Sequence, residues 1–195
     1  MKSLPTLIDR NLRIRVIGFD DAPFAGRKNS DVHIAGVVCS GTRFEGMLWG
    51  TVRKDGNDAT RVLAQMLRGS KFHPQVHLVL TDGIGFGGFN LIDLPELAKQ
   101  LDRPCIAMMR KPPDMEAVRK ALRHFDDCPH RLDLLEKAGP VHPGDNFCFQ
   151  VAGAPPGIAA AALKRISFQG NVPEALRMAH LIGSAVVTGQ SSQRA

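Results

Sequence analysis

Tyrosine is absent from the chain, tryptophan occurs once, and aromatic residues make up only 6% of it. Cysteine is also scarce. Cys39, Cys105, Cys128 and Cys148 form no C-x-x-C pair and no zinc-ligand spacing, so the common zinc-site patterns are excluded. Cys39 and Cys105 sit inside apolar runs, where a free thiol behaves as a small hydrophobe. No apolar run approaches the ~18 residues of a membrane span, and no apolar leader precedes a cleavage site at the N-terminus. These absences predict a soluble, cytoplasmic protein with reduced thiols and no membrane partner. No internal repeat, low-complexity tract or linker interrupts the 195 residues. One domain over residues 1–195 is expected, with short flexible termini.

Acidic residues are outnumbered. Against 25 Lys and Arg there are 19 Asp and Glu, a formal net charge of +6 and a pI near 9.5. A basic surface favours an anionic partner, nucleic acid first, although solubility charge without such a partner has the same composition.

The most informative stretch is Val76–Asn90. It begins as an apolar, β-branched run, stops at Asp82, and continues as Gly83-Ile84-Gly85-Phe86-Gly87-Gly88-Phe89-Asn90. Such a run reads as a buried strand of an α/β sheet. Ligands in these sheets bind beyond the carboxyl ends of the strands, where Asp82 stands. Alternatively, Asp82-Gly83 is only a turn.

Other elements follow from period and punctuation. Residues 1–11 read as a short lead-in. Arg13–Asp21 reads as a first strand ending in two aspartates, and residues 22–30 as a loop with a basic centre. Val32–Ser40 and Phe44–Val52 form a hairpin across Gly41-Thr42, which predicts a three-strand meander. Val62, Leu63, Met66 and Leu67 recur at helical spacing after an N-cap at Asn57 or Asp58. A helix over Leu91–Leu101, a strand over Pro104–Met109 and a helix over 115–125 come next. A short helix over Arg131–Ala138, a late edge strand over Asn146–Ala152 and helices over Pro156–Ile166 and Pro173–Val187 complete the order, before a frayed tail from Thr188. Three strands, helix, strand, helix, strand and then mainly helices predict an α/β fold. It is a ribonuclease H-like mixed sheet, an antiparallel three-strand meander plus parallel strands, flanked by helices.

In that topology the first and fourth strands lie side by side. Asp20 or Asp21 then approaches Asp82, and Asp58 enters from the flank. Clustered carboxylates are costly unless a cation neutralises them. Mg²⁺ prefers oxygen ligands and keeps waters, and two ions about 4 Å apart can serve phosphodiester hydrolysis.

Five segments together resemble the endonuclease dU family, which is distantly similar to endonuclease V. They are Gly18-Phe19-Asp20-Asp21, Asp55-Gly56-Asn57-Asp58-Ala59-Thr60, Asp82-Gly83-Ile84 with Gly87-Gly88-Phe89-Asn90, Arg110-Lys111-Pro112-Pro113-Asp114, and Val172-Pro173-Glu174-Ala175-Leu176-Arg177-Met178-Ala179-His180-Leu181-Ile182. The resemblance runs from about residue 12 to 192. It implies metal-dependent cleavage of DNA, lesion-containing or single-stranded, at deaminated or damaged bases. It also implies catalytic Asp20, Asp58 and Asp82, which hold Mg²⁺ or Mn²⁺; Asp21 beside them reads as a further metal ligand or as a cap of the following loop.

The sequence departs from endonuclease V at three points. A shorter aspartate, Asp58, stands where a glutamate is expected. The segment after Asp-Gly is glycine-rich. Without tyrosine there is no tyrosine wedge. Inosine specificity is not carried over, and deoxyuridine is the lesion the nearer family's name suggests.

The expected nucleic-acid contacts are Gly83, Gly87, Gly88, Asn90, Arg110, Lys111, Arg177 and His180. Each has a structural alternative: helix–strand packing for the glycines, N-capping for Asn90, a solvated loop end for Arg110 and Lys111, and structural hydrogen bonds for Arg177 and His180. Trp49 and Phe44 read as core. A protein that binds nucleic acid without cutting is the alternative function.

Overall fold

The computed structural model of the chain describes residues 2–168 and 172–192. After helix α1 (Leu4–Asp9), strands β1 (Arg15–Asp21), β2 (Asp31–Ser40) and β3 (Arg43–Arg53) form the expected antiparallel meander. Helix α2 (Ala59–Arg68) leads through a 3-10 turn at His73–Gln75 to β4 (Leu78–Asp82). A small hairpin, β5 (Gly85–Phe86) and β6 (Asn90–Leu91), precedes α3 (Leu94–Leu101) and β7 (Cys105–Met109). Helices α4 (Met115–Leu122) and α5 (Cys128–Lys137), strands β8 (His142–Pro143) and β9 (Cys148–Ala152), and helices α6 (Pro156–Ile166) and α7 (Glu174–Thr188) complete the order. The seven-stranded sheet runs β3-β2-β1-β4-β7-β9-β8. β1, β4 and β7 are parallel, and the outer pairs are antiparallel.

Both faces of the sheet are covered, which is why its central strands are nearly continuous apolar runs. Side chains alternate across the sheet. Ile17, Phe19, Val79 and Ala107 pack against Leu63, Leu67, Leu94 and Leu97 of α2 and α3. Val16, Leu78, Leu80, Ile106 and Met108 pack on the other face against α1, α6 and α7. Each fully buried Val, Leu, Ile, Phe or Met side chain among these contributes roughly 1.5–3 kcal/mol of transfer free energy. Gly18 sets the approach of α7. A Cβ there would lie 2.7 Å from the backbone of Ala175 and Leu176, so only glycine lets the helix rest on β1.

Several expectations are corrected. Residues 1–11 are not merely a lead-in, because Leu4 and Leu7 of α1 are buried under α6. The helix expected from Leu91 starts at Leu94, where Asp93 accepts from the Glu96 amide at 2.9 Å. The residues before it form the hairpin, turned by Gly87 (φ 56°) and Gly88 (φ 93°). β9 is not an edge strand, since β8 pairs outside it. Trp49 and Phe44 are 37% and 45% exposed and so are not core. α7 ends at Gly189 (φ 83°), and the last part of the expected tail, 193–195, lies outside the described residues, as does Met1. Among the described residues no helix is long and apolar enough to cross a membrane.

Candidate active site

β1, β4 and β7 run the same way, so their carboxyl ends share one edge of the sheet. The register sets Phe19 beside Thr81 and Asp82 beside Met108. Alternation then turns Asp20, Asp82 and Arg110 toward the face covered by α7. Neighbouring strands lie about 4.8 Å apart, so Asp20 and Asp82 are neighbours across the sheet. They line one cleft with Met108, Arg110, Leu176, Arg177 and His180. His180 and Arg177 are three apart on α7 and therefore share a face. His180 Nδ1 stands 2.9 Å from Asp20 Oδ2. Arg177 is held from behind by the buried Glu174, with Nε donating to Oε2 at 2.9 Å and Nη2 to Oε1 at 2.5 Å.

The electrostatics of the cleft are those of crowded carboxylates. Asp20 is 5% exposed. Burial, followed by the charges of Asp82 and Asp21, pushes its carboxyl up to about 8, against the opposing backbone bond at Asp21 and the charge of Arg110. Asp82 ends its strand with part of its surface open to solvent. The walls of the cleft still displace water from its carboxyl and raise it, opposed by Arg110 and His180. Asp21 points through the other face of the sheet. Its Oδ2 accepts from the Gly87 amide at 2.6 Å. Burial raises it, and that hydrogen bond opposes the rise.

Other expected residues fall elsewhere. Asp58 does not line the cleft. Its Oδ1 accepts from the Arg53 amide at 3.1 Å and from Asn90 Nδ2 at 2.7 Å, and its Oδ2 lies 3.7 Å from Arg61. It holds the N-cap position of α2 without a side-chain hydrogen bond to the free amides of the first turn.

Asn90 is not a surface contact. It is fully buried, accepts from the Ala59 amide at 3.0 Å through Oδ1, and donates to Arg53 O at 2.8 Å. Gly87 is buried, and Gly88 is exposed but lies against Asp55. Added Cβ atoms would meet Val32 at 3.0 Å and the Asp55 carboxylate at 2.4 Å respectively. Gly83 differs, with φ 69° and open space where a Cβ would stand. Arg110 and Lys111 are exposed at the end of β7.

Two functional supports are silent in the sequence. Glu174 is one, and only its spacing of three from Arg177 hints at the pair. Arg131 is the other. It is 3% exposed, donates to Asp55 O at 2.9 Å, to Asp127 at 2.7 Å and to Phe89 O, and stacks 4.3 Å from the Phe125 ring centre. It ties α5 to the two loops that carry Asp58 and Asn90.

Among the described residues, no three His, Cys, Asp or Glu side chains stand together as a ready metal cluster. The donor set in the cleft is the carboxylate pair Asp20 and Asp82. This pair fits Mg²⁺ or Mn²⁺, because Mg²⁺ is commonly bound by one or two carboxylates together with waters and substrate phosphate. Burial raises both carboxyls, and the charges of Asp82 and Asp21 raise Asp20 further; a bound cation would favour their charged forms.

The family profile described as endonuclease dU matches residues 12–187. The chain belongs to the endonuclease dU family. A relative named UPF0215 protein, from Methanothermobacter thermautotrophicus, is 40% identical over 183 residues, covering 91% of this chain and 90% of that protein. The crystal structure of a protein of unknown function from Archaeoglobus fulgidus superposes with a TM-score of 0.86 at 35% identity, over 90% of this chain and 99% of that one. The family also shares its fold with endonuclease V. The Ciona intestinalis enzyme, solved with a 23mer DNA containing an inosine followed by a ribo-adenosine, has a TM-score of 0.54 at 15% identity, over 90% of each chain. The sheet is thus the ribonuclease H-like one expected from its element order, and the family points to a nuclease.

Proposed function

We propose that the chain is a divalent-metal-dependent endonuclease that cuts DNA beside a deaminated base, deoxyuridine foremost. The observation that carries this reading is the carboxylate pair Asp20 and Asp82. The two come from adjacent parallel strands, are both raised in pKa, and face Arg110, Arg177 and His180 in one cleft. Asp20 and Asp82 would hold Mg²⁺ or Mn²⁺, which when bound supplies an activated water and neutralises charge on the leaving oxygen.

The chain's own residues do the rest. Arg110, Lys111 and Arg177 hold phosphates, which positions the strand without reading its sequence. Glu174 keeps the Arg177 guanidinium aimed at the cleft. His180 orients the Asp20 carboxylate through its Nδ1. Gly83 leaves room for a sugar–phosphate backbone to pass the strand end. Asp58 and Asp21 act one layer back: Asp58 fixes the Arg53–Asn90 corner, and Asp21 fixes the hairpin turn. The DNA-bound endonuclease V of the same fold supports DNA as the partner.

A second reading, a nucleic-acid-binding protein that does not cut, draws on the absence of a three-residue metal cluster among the described residues. One experiment separates the two. End-labelled duplex and single-stranded DNA, carrying one deoxyuridine, one deoxyinosine or neither, is incubated with Mg²⁺, Mn²⁺ or EDTA and with wild type or Asp82→Asn. Metal-dependent cutting beside one lesion, lost in the variant, is the expected result. Retention of DNA without cutting under every condition would establish the binding protein instead.

A further inference from the structure

On the opposite face of the sheet from the carboxylates lies a cavity of about 470 Å³. Its walls are mostly apolar, with Ile84, Phe89, Leu91, Met109, Val118 and Leu135, and the exposed Arg119 and Glu136 complete the lining. It shares its rim with the cleft. Asp82 lines the cleft and Ile84 the cavity, with the unobstructed Gly83 between them; Met108 and Arg110 line the cleft and Met109 the cavity. Ligand pockets of ~300–1,000 Å³ with mostly apolar walls and a few placed polar groups are the usual seats of small planar ligands.

The placed polar group is Gln150 of β9. It lines the cavity, is 6% exposed, and its Nε2 donates to Gly139 O at 2.8 Å. A backbone carbonyl only accepts, so the NH₂ must face Gly139 and the amide cannot flip. Its Oε1 has no donor among the described residues. The cavity therefore holds an orientation-locked acceptor that no donor among the described residues occupies and that a ligand can reach.

We propose that this cavity receives the base extruded from the DNA, and that the Gln150 amide oxygen reads deamination by accepting a hydrogen bond from the ring N–H that deamination creates. The proposal rests on the nuclease reading above and adds the chemistry of its selectivity. Cytosine N3 and adenine N1 carry lone pairs; in uracil and hypoxanthine the same atoms carry hydrogens. A fixed acceptor attracts the deaminated base and repels its parent, and a buried polar group left unpaired makes the rejection strong. Thymine and guanine carry the same N–H. They are excluded by the cost of extruding a correctly paired base, which a mismatched base largely escapes.

The test uses the full chain with Mg²⁺ and duplexes carrying uracil, 3-methyluracil or cytosine opposite guanine. The methyl group removes the ring N–H and abolishes pairing, so 3-methyluracil leaves the helix more readily than uracil. Wild type is expected to cut at uracil at least about a hundredfold better, in kcat/KM, than at 3-methyluracil or cytosine. Gln150→Leu, and Gln150→Ala with room for the methyl, should bring uracil and 3-methyluracil within about tenfold of each other, because the acceptor is gone. Equal or faster wild-type cutting at 3-methyluracil overturns the proposal, and so does a Gln150 variant with undiminished selectivity. The wild-type comparison needs no variant to fold.

If no duplex is cut, the nuclease reading fails. Gln150 is then decided by affinity in EDTA. At least tenfold tighter wild-type binding of uracil than of 3-methyluracil DNA, lost in Gln150→Leu, upholds base reading, whereas equal wild-type affinities overturn it.

Discussion

Replacing Asp20 by Asn should stabilise the metal-free protein, and more so as the pH rises. Asp20 ionises in the folded protein only near pH 8, because it is buried and faces Asp82 and Asp21. In the unfolded chain its value is the ordinary 3.8. Below pH 4 the group is protonated in both states and carries no penalty. Between pH 4 and 8 the folded protein keeps a proton that the unfolded chain has released. The folded state binds more protons in this window, so stability falls with rising pH, by about 1.4 kcal/mol per unit. Above pH 8 both states are ionised and the loss levels off. The amide of Asn does not titrate. Between pH 5 and 7 the wild type should therefore lose up to about 3 kcal/mol relative to Asp20→Asn. For a chain of this length that is roughly 5 to 11 °C in Tm. The assay is thermal unfolding by circular dichroism in EDTA at pH 5, 6, 7 and 8 for both proteins. Repeating it with Mg²⁺ should raise the wild-type Tm at pH 7–8 and leave the variant nearly unmoved, since the ion needs the carboxylate that the variant lacks. A Tm difference that stays flat across pH 5–8 would refute the reasoning. It would mean that His180, at 2.9 Å, holds Asp20 ionised in the free protein.

Three further outcomes test the scaffold and the nucleic-acid surface. Asn90→Leu strands the Ala59 amide, while the Arg53 carbonyl keeps the Gly56 amide and Asp58 Oδ1 keeps the Arg53 amide. Urea unfolding should show about 1–3 kcal/mol of destabilisation, and less than about 0.5 kcal/mol would contradict the network. Gly18→Ala drives a methyl to 2.7 Å from the α7 backbone, which should cost about 1–3 kcal/mol in thermal or chemical unfolding. It should also depress cleavage, because His180 and Arg177 ride on α7, whereas Gly157→Ala, with open space around it, should do neither. Arg110→Gln should weaken DNA binding about equally for all sequences and lower the salt slope of log Kd by about 1; an unchanged slope would remove Arg110 from the phosphate contacts.

What could be read from the sequence and what could not divide along a physical line. Period decides the strands and helices, and period is local. The apolar runs ending at Asp20 and Asp82 locate β1 and β4. The parallel pairing of those strands, with alternation, then places both carboxylates under α7. Arg177 and His180 follow from a spacing of three on one helix. The failures are all set by partners far along the chain. Asn90 has capping chemistry, as its position before a helix suggests, but the amide it satisfies is that of Ala59 in α2, 31 residues earlier. That same side chain takes one oxygen of Asp58, so an aspartate correctly placed at a helix start is aimed at a loop corner instead of the cleft. Gly87 and Gly88 signal close approach, as glycines in such a run should, yet what approaches is Val32 and Asp55. Arg131 and Gln150 sit in ordinary amphipathic segments, and nothing local marks a buried guanidinium or a locked amide. A carboxylate at a strand end needs only the sheet to bring it to the site. A side chain that aims or reads needs a second segment to hold it, and the identity of that segment is a property of the packed fold. The carboxylate pair proposed to hold the metal was therefore legible, while its supports and the acceptor proposed to read the base were not.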